Sequence, residues 1–412
     1  MTRFTLHIIA IISSCLAAAG CGSLDDKNPY AGSLNTLRIE TSYPEEFAGF
    51  LREGIEIRIE DVDRGYTYRT ATDASGAATV RLTNGIYRII ASDKVDTDAF
   101  HGSADRVRLV DGDMTLTLGM IHSRSGAIVI KEIYCGGCMR APIEGKYQYD
   151  KYVILHNNSS ETEYLDGLCF GASDPYNSQA NNVWVTPDPA TGASLYPDFV
   201  PVIQAVWQFG GDGESFPLAP GEDAVICCCG AIDHAAQYPL SVDLNREGYF
   251  VLYNNTYFPN TFYHPAPGDR ITPDRYLNVV IKTGIANAYP LSIYSPALVV
   301  FRAKGTTIQE FVADPANVIQ KPGDKNDFIV KVPTEWIIDG AEVFYGGSST
   351  NTKRLGPAID AGYVTLSEIY LGRTLHRKVD EQASAEAGYE ILVDTNNSSE
   401  DFYERSEQSL HE

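Results

Sequence analysis

Strict alternation of apolar and polar side chains dominates the chain from Thr36 onward, and a period of two marks strands buried on one face. Ile55 to Glu60 alternates without a break, Tyr66 to Thr70 and Ala78 to Leu82 repeat the pattern, and Gly85 to Ile90 follows. Asp63-Arg64-Gly65, Thr72 to Gly76 and Thr83-Asn84-Gly85 separate these segments, each supplying the positive φ or side-chain capping that a tight turn needs. Val107 to Val110 and Met114 to Leu118, joined through Asp111-Gly112-Asp113, complete an antiparallel sandwich over residues 36–122. The pattern breaks at His122 to Gly126 and resumes over residues 123–412 with Ile128–Tyr134, Asp150–Asn158, Tyr164–Leu168 and Leu218–Ile226. Ala172 to Phe216 is a long insert, helical stripes are few, and Ser384 to Ala387 is too short to assign as a helix. The fold class is therefore all-β, a small sandwich followed by a larger one with long loop insertions. The acidic end beyond Phe402 is expected to fray.

Ahead of the first strand stands a different pattern. Arg3 provides a short basic start, Leu6 to Leu16 an apolar core too short to span a membrane, and Leu16 to Gly20 small residues before Cys21. This is a lipobox, so residues 1–20 are expected to be removed and Cys21 to carry a diacylglycerol. Each lipid methylene then contributes ~0.8 kcal/mol to membrane attachment. Residues 21–35 read as a lipidated cysteine and flexible tether. Gly22 to Lys27, with Asp25 and Asp26, resembles the acidic export tag of Bacteroidota lipoproteins, which implies a location on the outer membrane facing the cell exterior.

Composition narrows the partners. The 412 residues carry 32 Lys+Arg against 54 Asp+Glu, a net charge of −22; removing Arg3 with the signal peptide leaves 31 against 54, or −23. Nucleic acid is an improbable partner for such a surface. No later apolar run approaches the ~20 residues of a membrane helix, leaving the lipid as the anchor.

Ile55 to Ser92 resembles the transthyretin-like (carboxypeptidase-regulatory-like) module, with small immunoglobulin-type topology and a spacer or docking role. Ile128 to Leu168 and Leu218 to Ile226 resemble a lamin-tail domain over residues 128–256, an immunoglobulin-like sandwich in which an asparagine ends the second strand. Ala231 to His234, Lys331 to Trp336, Lys353 to Leu355 with Ile359 to Gly362, and Asp394 to Phe402 resemble the Bacteroidota lipoproteins grouped as domain of unknown function 4876. That resemblance extends over most of residues 36–412 and brings no activity with it.

Six cysteines remain beyond Cys21: Cys135, Cys138, Cys169, Cys227, Cys228 and Cys229. An oxidising compartment makes disulfides or buried thiols their expected state. A structural metal ion is the alternative, with Cys135 and Cys138 completed by the triple cysteine and His156 or His234. On a continuous strand Cys227 and Cys229 would share a face opposite Cys228. Asp394, Asn396 and Ser398 place oxygens at alternate positions, as a calcium loop does. Ser399 and Arg405 stand where such a loop needs glycine and glutamate, which favours an asparagine-rich turn.

Aromatics concentrate in the insert and after it, and Trp184, Trp207, Tyr257 and Tyr263 are candidate ligand-facing rings, with core packing as their other role. The chain has no HExxH, no G-x-S-x-G and no phosphate-binding glycine-lysine loop. The expected function is non-enzymatic capture of a glycan, peptide or metal complex, or docking on an outer-membrane transporter of the TonB-dependent uptake type. A structural adhesin and a hydrolase with paired carboxylates are the alternatives. Cys21→Ala should move the protein from the washed membrane pellet to the soluble fraction; retention in the pellet would refute the anchor.

Overall fold

The computed structural model describes residues 34–95, 98–123, 125–347 and 350–411. Cys21, Asp25 and Asp26 lie outside them. No helix among the described residues is long and apolar enough to cross a membrane.

Residues 35–123 fold as the expected sandwich. One sheet places strand Asn35–Ser42 between Ala77–Leu82 and Met114–Gly119, pairing antiparallel with the former and parallel with the latter. The facing sheet orders Thr67–Ala71, Glu56–Asp61, Gly85–Val95, Asp98–Leu109 and Ile121–Ser123. Alternation does what it predicts: Ile55, Ile57 and Ile59 join Leu37, Ile39, Tyr87 and Ile89 in one core between the sheets, while Glu56 and Arg69 remain on the solvent face.

The second unit is built on another principle. Its six-stranded sheet orders Phe250–Val251, Asp223–Cys227, Tyr152–Asn157, Ile128–Tyr134, Thr374–Arg377 and Phe402–Arg405. An eight-stranded sheet, with Phe199–Gln208, Cys169–Ser173, Ala297–Phe301 and Ile337–Tyr345 at its centre, faces it. Ile130, Val153, Leu155 and Ile226 meet Phe170, Trp207, Val300 and Val343 between the two. The outer faces are covered as well. Tyr152, Ile154 and Val225 pack under Val242, Leu244 and Ile271, and Val200, Val299 and Phe301 pack with Ile308 of the short helix Ile308–Ala313. Strands covered on both faces read as unbroken apolar runs, and Tyr152–Asn157 and Ala297–Phe301 are buried at every position.

Several expected elements shift. Of Tyr164–Leu168 only Tyr164 is strand, the end of Glu163–Tyr164, which pairs with Pro217–Leu218. Asn157 turns the backbone as expected: its Nδ2 donates to the carbonyls of Glu161 and Leu218, and its Oδ1 accepts from Ser159. Ser384 to Ala387 lies in a helix, Glu381–Ala387, which Asp380 caps at its start and Gly388 ends. The acidic end does not fray. Phe402–Arg405 is the edge strand beside Thr374–Arg377, and Ser409 donates its backbone N–H to Glu132 at 3.2 Å.

Asp394, Asn396 and Ser398 do not converge on a shared point where an ion would sit. Asp394 accepts from Gly126 N–H and from Arg377, Asn396 takes a positive φ of 54°, and Ser398 donates to Asp360. Asn397 caps the short helix Ser398–Asp401. This turn joins the two units: Ser123 donates to the Thr395 carbonyl at 2.7 Å and Ser92 to Glu400 at 2.7 Å. Nearby, Tyr363 donates to Glu60 and the Arg88 guanidinium sits 4.8 Å from the Tyr363 ring centre.

Beneath the turn lies Arg377, almost wholly buried. It donates to Asp339 at 2.7 Å, to Asp394 at 3.0 Å, to Asp401 at 3.4 Å and to the Ile130 carbonyl at 2.8 Å. Burial, together with the neighbouring carboxylate Asp394, pushes the carboxyls of Asp339 and Asp401 upward against the pull of Arg377. Removing one member of such a network strands the others without water. Arg377→Leu should cost about 3–5 kcal/mol in urea unfolding; a loss below about 1 kcal/mol would show that the network contributes little.

Candidate functional site

Antiparallel register gathers one set of loops at a single end of the larger sandwich. Tyr152 pairs with Cys227, so the segment leading into the first strand lies beside the segment leaving the second. Ala172 pairs with Leu298, which brings the start of the long insert beside the loop that precedes Ala297–Phe301. Tyr149 and Lys151, Cys229, Tyr176 and Asn177, and Ala286 to Leu291 thereby come together, joined by Tyr263 and Tyr294.

These residues line an open pocket of about 390 Å³, within the range of small-molecule sites. Its entry is aromatic. Tyr149 meets Phe262 and Tyr263 edge to face at 5.4 and 5.1 Å, and Phe262 and Tyr263 are 65% and 40% exposed. The walls are held from behind. Arg354 pairs with Glu342 in full burial and donates to the carbonyls of Pro175 and Ser295, while Ser295 accepts from Ser178 N–H. Tyr176 thus projects from a backbone clamped on both sides. The Asn260 carbonyl accepts from His264 N–H at 2.9 Å and sets the turn that presents Phe262 and Tyr263.

Behind the wall sit buried donors without partners. Tyr289 donates its backbone N–H to His264 Nε2 at 3.0 Å, which places the imidazole proton on Nδ1. That Nδ1, the Tyr289 hydroxyl and Trp207 Nε1 have no hydrogen-bond partner among the described residues. Burial lowers the His264 pKa to about 4, so the ring is neutral near pH 7.

The candidate residues from sequence separate into two groups. Tyr263 lines the pocket, and Tyr257, 44% exposed, lies on the same aromatic turn region. Trp207 is corrected to core: it is fully buried and stacks on Phe258 at 5.5 Å. Trp184 is half-buried, its Nε1 donating to Asp174 at 2.7 Å and its ring against Phe199, so it braces the insert. Lys151, Tyr149 and Tyr289 were not singled out by sequence reasoning; the dense Tyr147-Gln148-Tyr149-Asp150-Lys151-Tyr152 run was their one visible sign.

Among the described residues the cysteines do not gather into a group that could hold a metal. All six are buried thiols, divided among different packing layers: Cys135 and Cys228 between the sheets, Cys227 on the opposite face, Cys169 behind the eight-stranded sheet. The strand ends at Cys227, so Cys229 is not held on its face and lines the tyrosine pocket. Cys138 donates to Asp150, and His234 is taken by Tyr147 and the Gly230 carbonyl. The turn between Cys135 and Cys138 is structural, since a Cβ on Gly137, at φ 74°, would stand 2.1 Å from the Tyr147 carbonyl oxygen. Burial pushes the thiols of Cys135, Cys138 and Cys169 up to about 12 and raises the other three.

His156, Asp223 and Glu390 do cluster, with ligand atoms within 4.8 Å. Their geometry is that of a completed network. His156 Nδ1 meets Asp223 at 2.6 Å and Nε2 meets the Glu390 carbonyl at 2.9 Å, while the Lys131 ammonium bridges Asp223 and Glu390 where a cation would sit. Although burial opposes it, His156 and Lys131 hold the Asp223 carboxyl below its usual range. A polar cleft of about 350 Å³ at the joint of the two units, lined by Glu56, Arg69 and Glu400, is occupied by groups that already pair: Arg69 with Glu56 and Glu400 with Ser92.

Thiols with so little thiolate react slowly. Folded protein should label at almost none of the six positions and urea-denatured protein at all six, with no metal by elemental analysis. Fewer than six labelled thiols after denaturation without reductant would reveal disulfides, and stoichiometric zinc would restore the metal alternative.

A solved structure shares the fold. A DUF4876 family protein from Bacteroides thetaiotaomicron VPI-5482 is 24% identical, with a TM-score of 0.55 over 90% of this chain and 94% of that chain. A DUF3823 family protein from Parabacteroides merdae ATCC 43184 is 14% identical over 44% of this chain and 83% of that chain, with a TM-score of 0.18. No curated protein matches. The family model for DUF4876, a protein of unknown function, extends over residues 219–409, a narrower span than the sequence resemblance. It takes in two central strands of the eight-stranded sheet, Ala297–Phe301 and Ile337–Tyr345, and the Arg377 network with its turn. Residues 219–409 thus match the model of the DUF4876 family, proteins of unknown function, and the chain shares the fold of the Bacteroides protein of that family.

Proposed function

We propose that this protein is a lipid-anchored cell-surface protein that captures a small ligand, or the end of a longer one, in its tyrosine pocket. The observation that carries the reading is the aromatic entry: exposed rings of Tyr263, Phe262 and Tyr176 lead into a concavity whose backbone is clamped by buried hydrogen bonds. Exposed rings on a rigid frame lose little conformational freedom on binding, so flat-faced ligands gain contact at low entropic cost. None of the described residues lining the pocket is Asp or Glu, which favours binding there over a paired-carboxylate hydrolysis. The anchor at Cys21 and the export tag at Asp25 and Asp26 would hold the pocket outside the cell, where an acidic surface discourages association with anionic lipid. Delivery of the captured ligand to an outer-membrane transporter is the role that suits a tethered, non-enzymatic binder.

A glycan and peptide array probed with the soluble mature chain should yield binders that Tyr263→Ala and Tyr149→Ala each weaken by about tenfold, or about 1.4 kcal/mol. Tyr403→Ala, on a 44% exposed ring of the distant edge strand, should leave binding unchanged. Equal loss in all three variants, or none in any, would refute the pocket.

A further inference from the structure

The single charged residue among the described pocket-lining residues is Lys151. Its side chain is 5% exposed, and its ammonium donates one hydrogen bond, to the Leu291 carbonyl at 2.5 Å. Two of its three N–H groups have no acceptor, and among the described residues no carboxylate lies within ion-pair distance of it. The adjacent Asp150 is engaged elsewhere, accepting from Tyr134 at 3.0 Å and Ser241 at 2.5 Å.

Buried ammonium groups are ordinarily paired, since the protein must replace the water they lose. The buried arginines among the described residues obey that rule. Arg377 has three aspartates, Arg354 has Glu342, and Arg88 has Asp105. Two lysines depart from it: Lys353, which donates to the Gly362 carbonyl away from the pocket, and Lys151, which stands in the wall of the aromatic pocket beside Tyr289. In a chain of net charge −22, a cavity whose lining charge is positive selects against the protein's own sign.

We infer that Lys151 is a specificity residue that pairs with the carboxylate of a ligand whose flat-faced body, an aromatic ring or a uronic acid pyranose, stacks on the tyrosines. The inference rests on the pocket reading and deepens it by naming the ligand's charge. Ammonium and carboxylate form a charge-assisted hydrogen bond inside a partly desolvated cavity, where such bonds are strongest.

The test is calorimetric titration of the mature chain with two matched pairs, phenylacetate against phenylacetamide and methyl β-D-glucuronide against methyl β-D-glucoside. At least one acid should bind ten times more tightly than its neutral partner, and the pair that discriminates identifies the body. Lys151→Met should abolish that preference. The wild-type acid preference stands without the variant, should Lys151→Met fold poorly. Equal affinity within both pairs, still lost on Tyr263→Ala, would overturn the carboxylate preference and leave the pocket as a ligand site. Binding of none of the four would overturn both.

Discussion

The buried guanidinium of Arg377 is the interaction on which the larger unit and its joint depend. It stands on a strand of the six-stranded sheet, Asp339 on a strand of the eight-stranded sheet, and Asp394 and Asp401 on the turn that meets the N-terminal sandwich. One cation therefore ties the two sheets of the larger unit to each other and to the turn at the joint. Three carboxylates at that depth are tolerable only while it is present, and the cation only while they are. Such a network adds geometric definition more than net stability, because its hydrogen bonds have one arrangement in which every partner is satisfied.

Covering both faces of both sheets has a consequence for function. With the interior strands fully buried, variation in surface chemistry is confined to the sheet edges and the loops at either end. The pocket sits at the end where the insert begins and where two antiparallel pairings deliver four loops side by side. The Arg354–Glu342 pair lies directly behind it, so a second buried ion pair stiffens the wall on which Tyr176 stands. A rigid frame carrying adaptable loops is the general arrangement by which sandwich folds present binding residues.

Residues that suggest reactive chemistry by type are mostly consumed by packing here. The six thiols are apolar fillers distributed through separate layers, and Lys131 occupies the centre of the one acid-histidine cluster found among the described residues. Lys151 is the contrasting case, a more deeply buried lysine without an internal counter-ion. Clustering of ligand-type residues thus says little until the partner of each atom is known.

Local pattern was sufficient for the N-terminal sandwich, because a sheet with one wet face writes its orientation into every second residue. It also placed the main strands of the larger unit, the asparagine that turns the chain after Tyr152–Asn157, and the glycine between Cys135 and Cys138, each a constraint acting within a few residues. Alternation vanishes where both faces are buried, so neither the sheet order nor the pairing of Phe402–Arg405 with Thr374–Arg377 could be read along the chain. The fate of each candidate side chain was likewise a long-range matter. Trp207 and Tyr263 are equally aromatic in sequence, yet one strand of a doubly covered sheet buries the first and an exposed turn presents the second. Lys151 precedes a buried strand like any flanking lysine. Only the convergence of loops separated by up to about 140 residues surrounds it with tyrosines and leaves its charge without a partner, because desolvation is a property of the assembled neighbourhood and not of the residue.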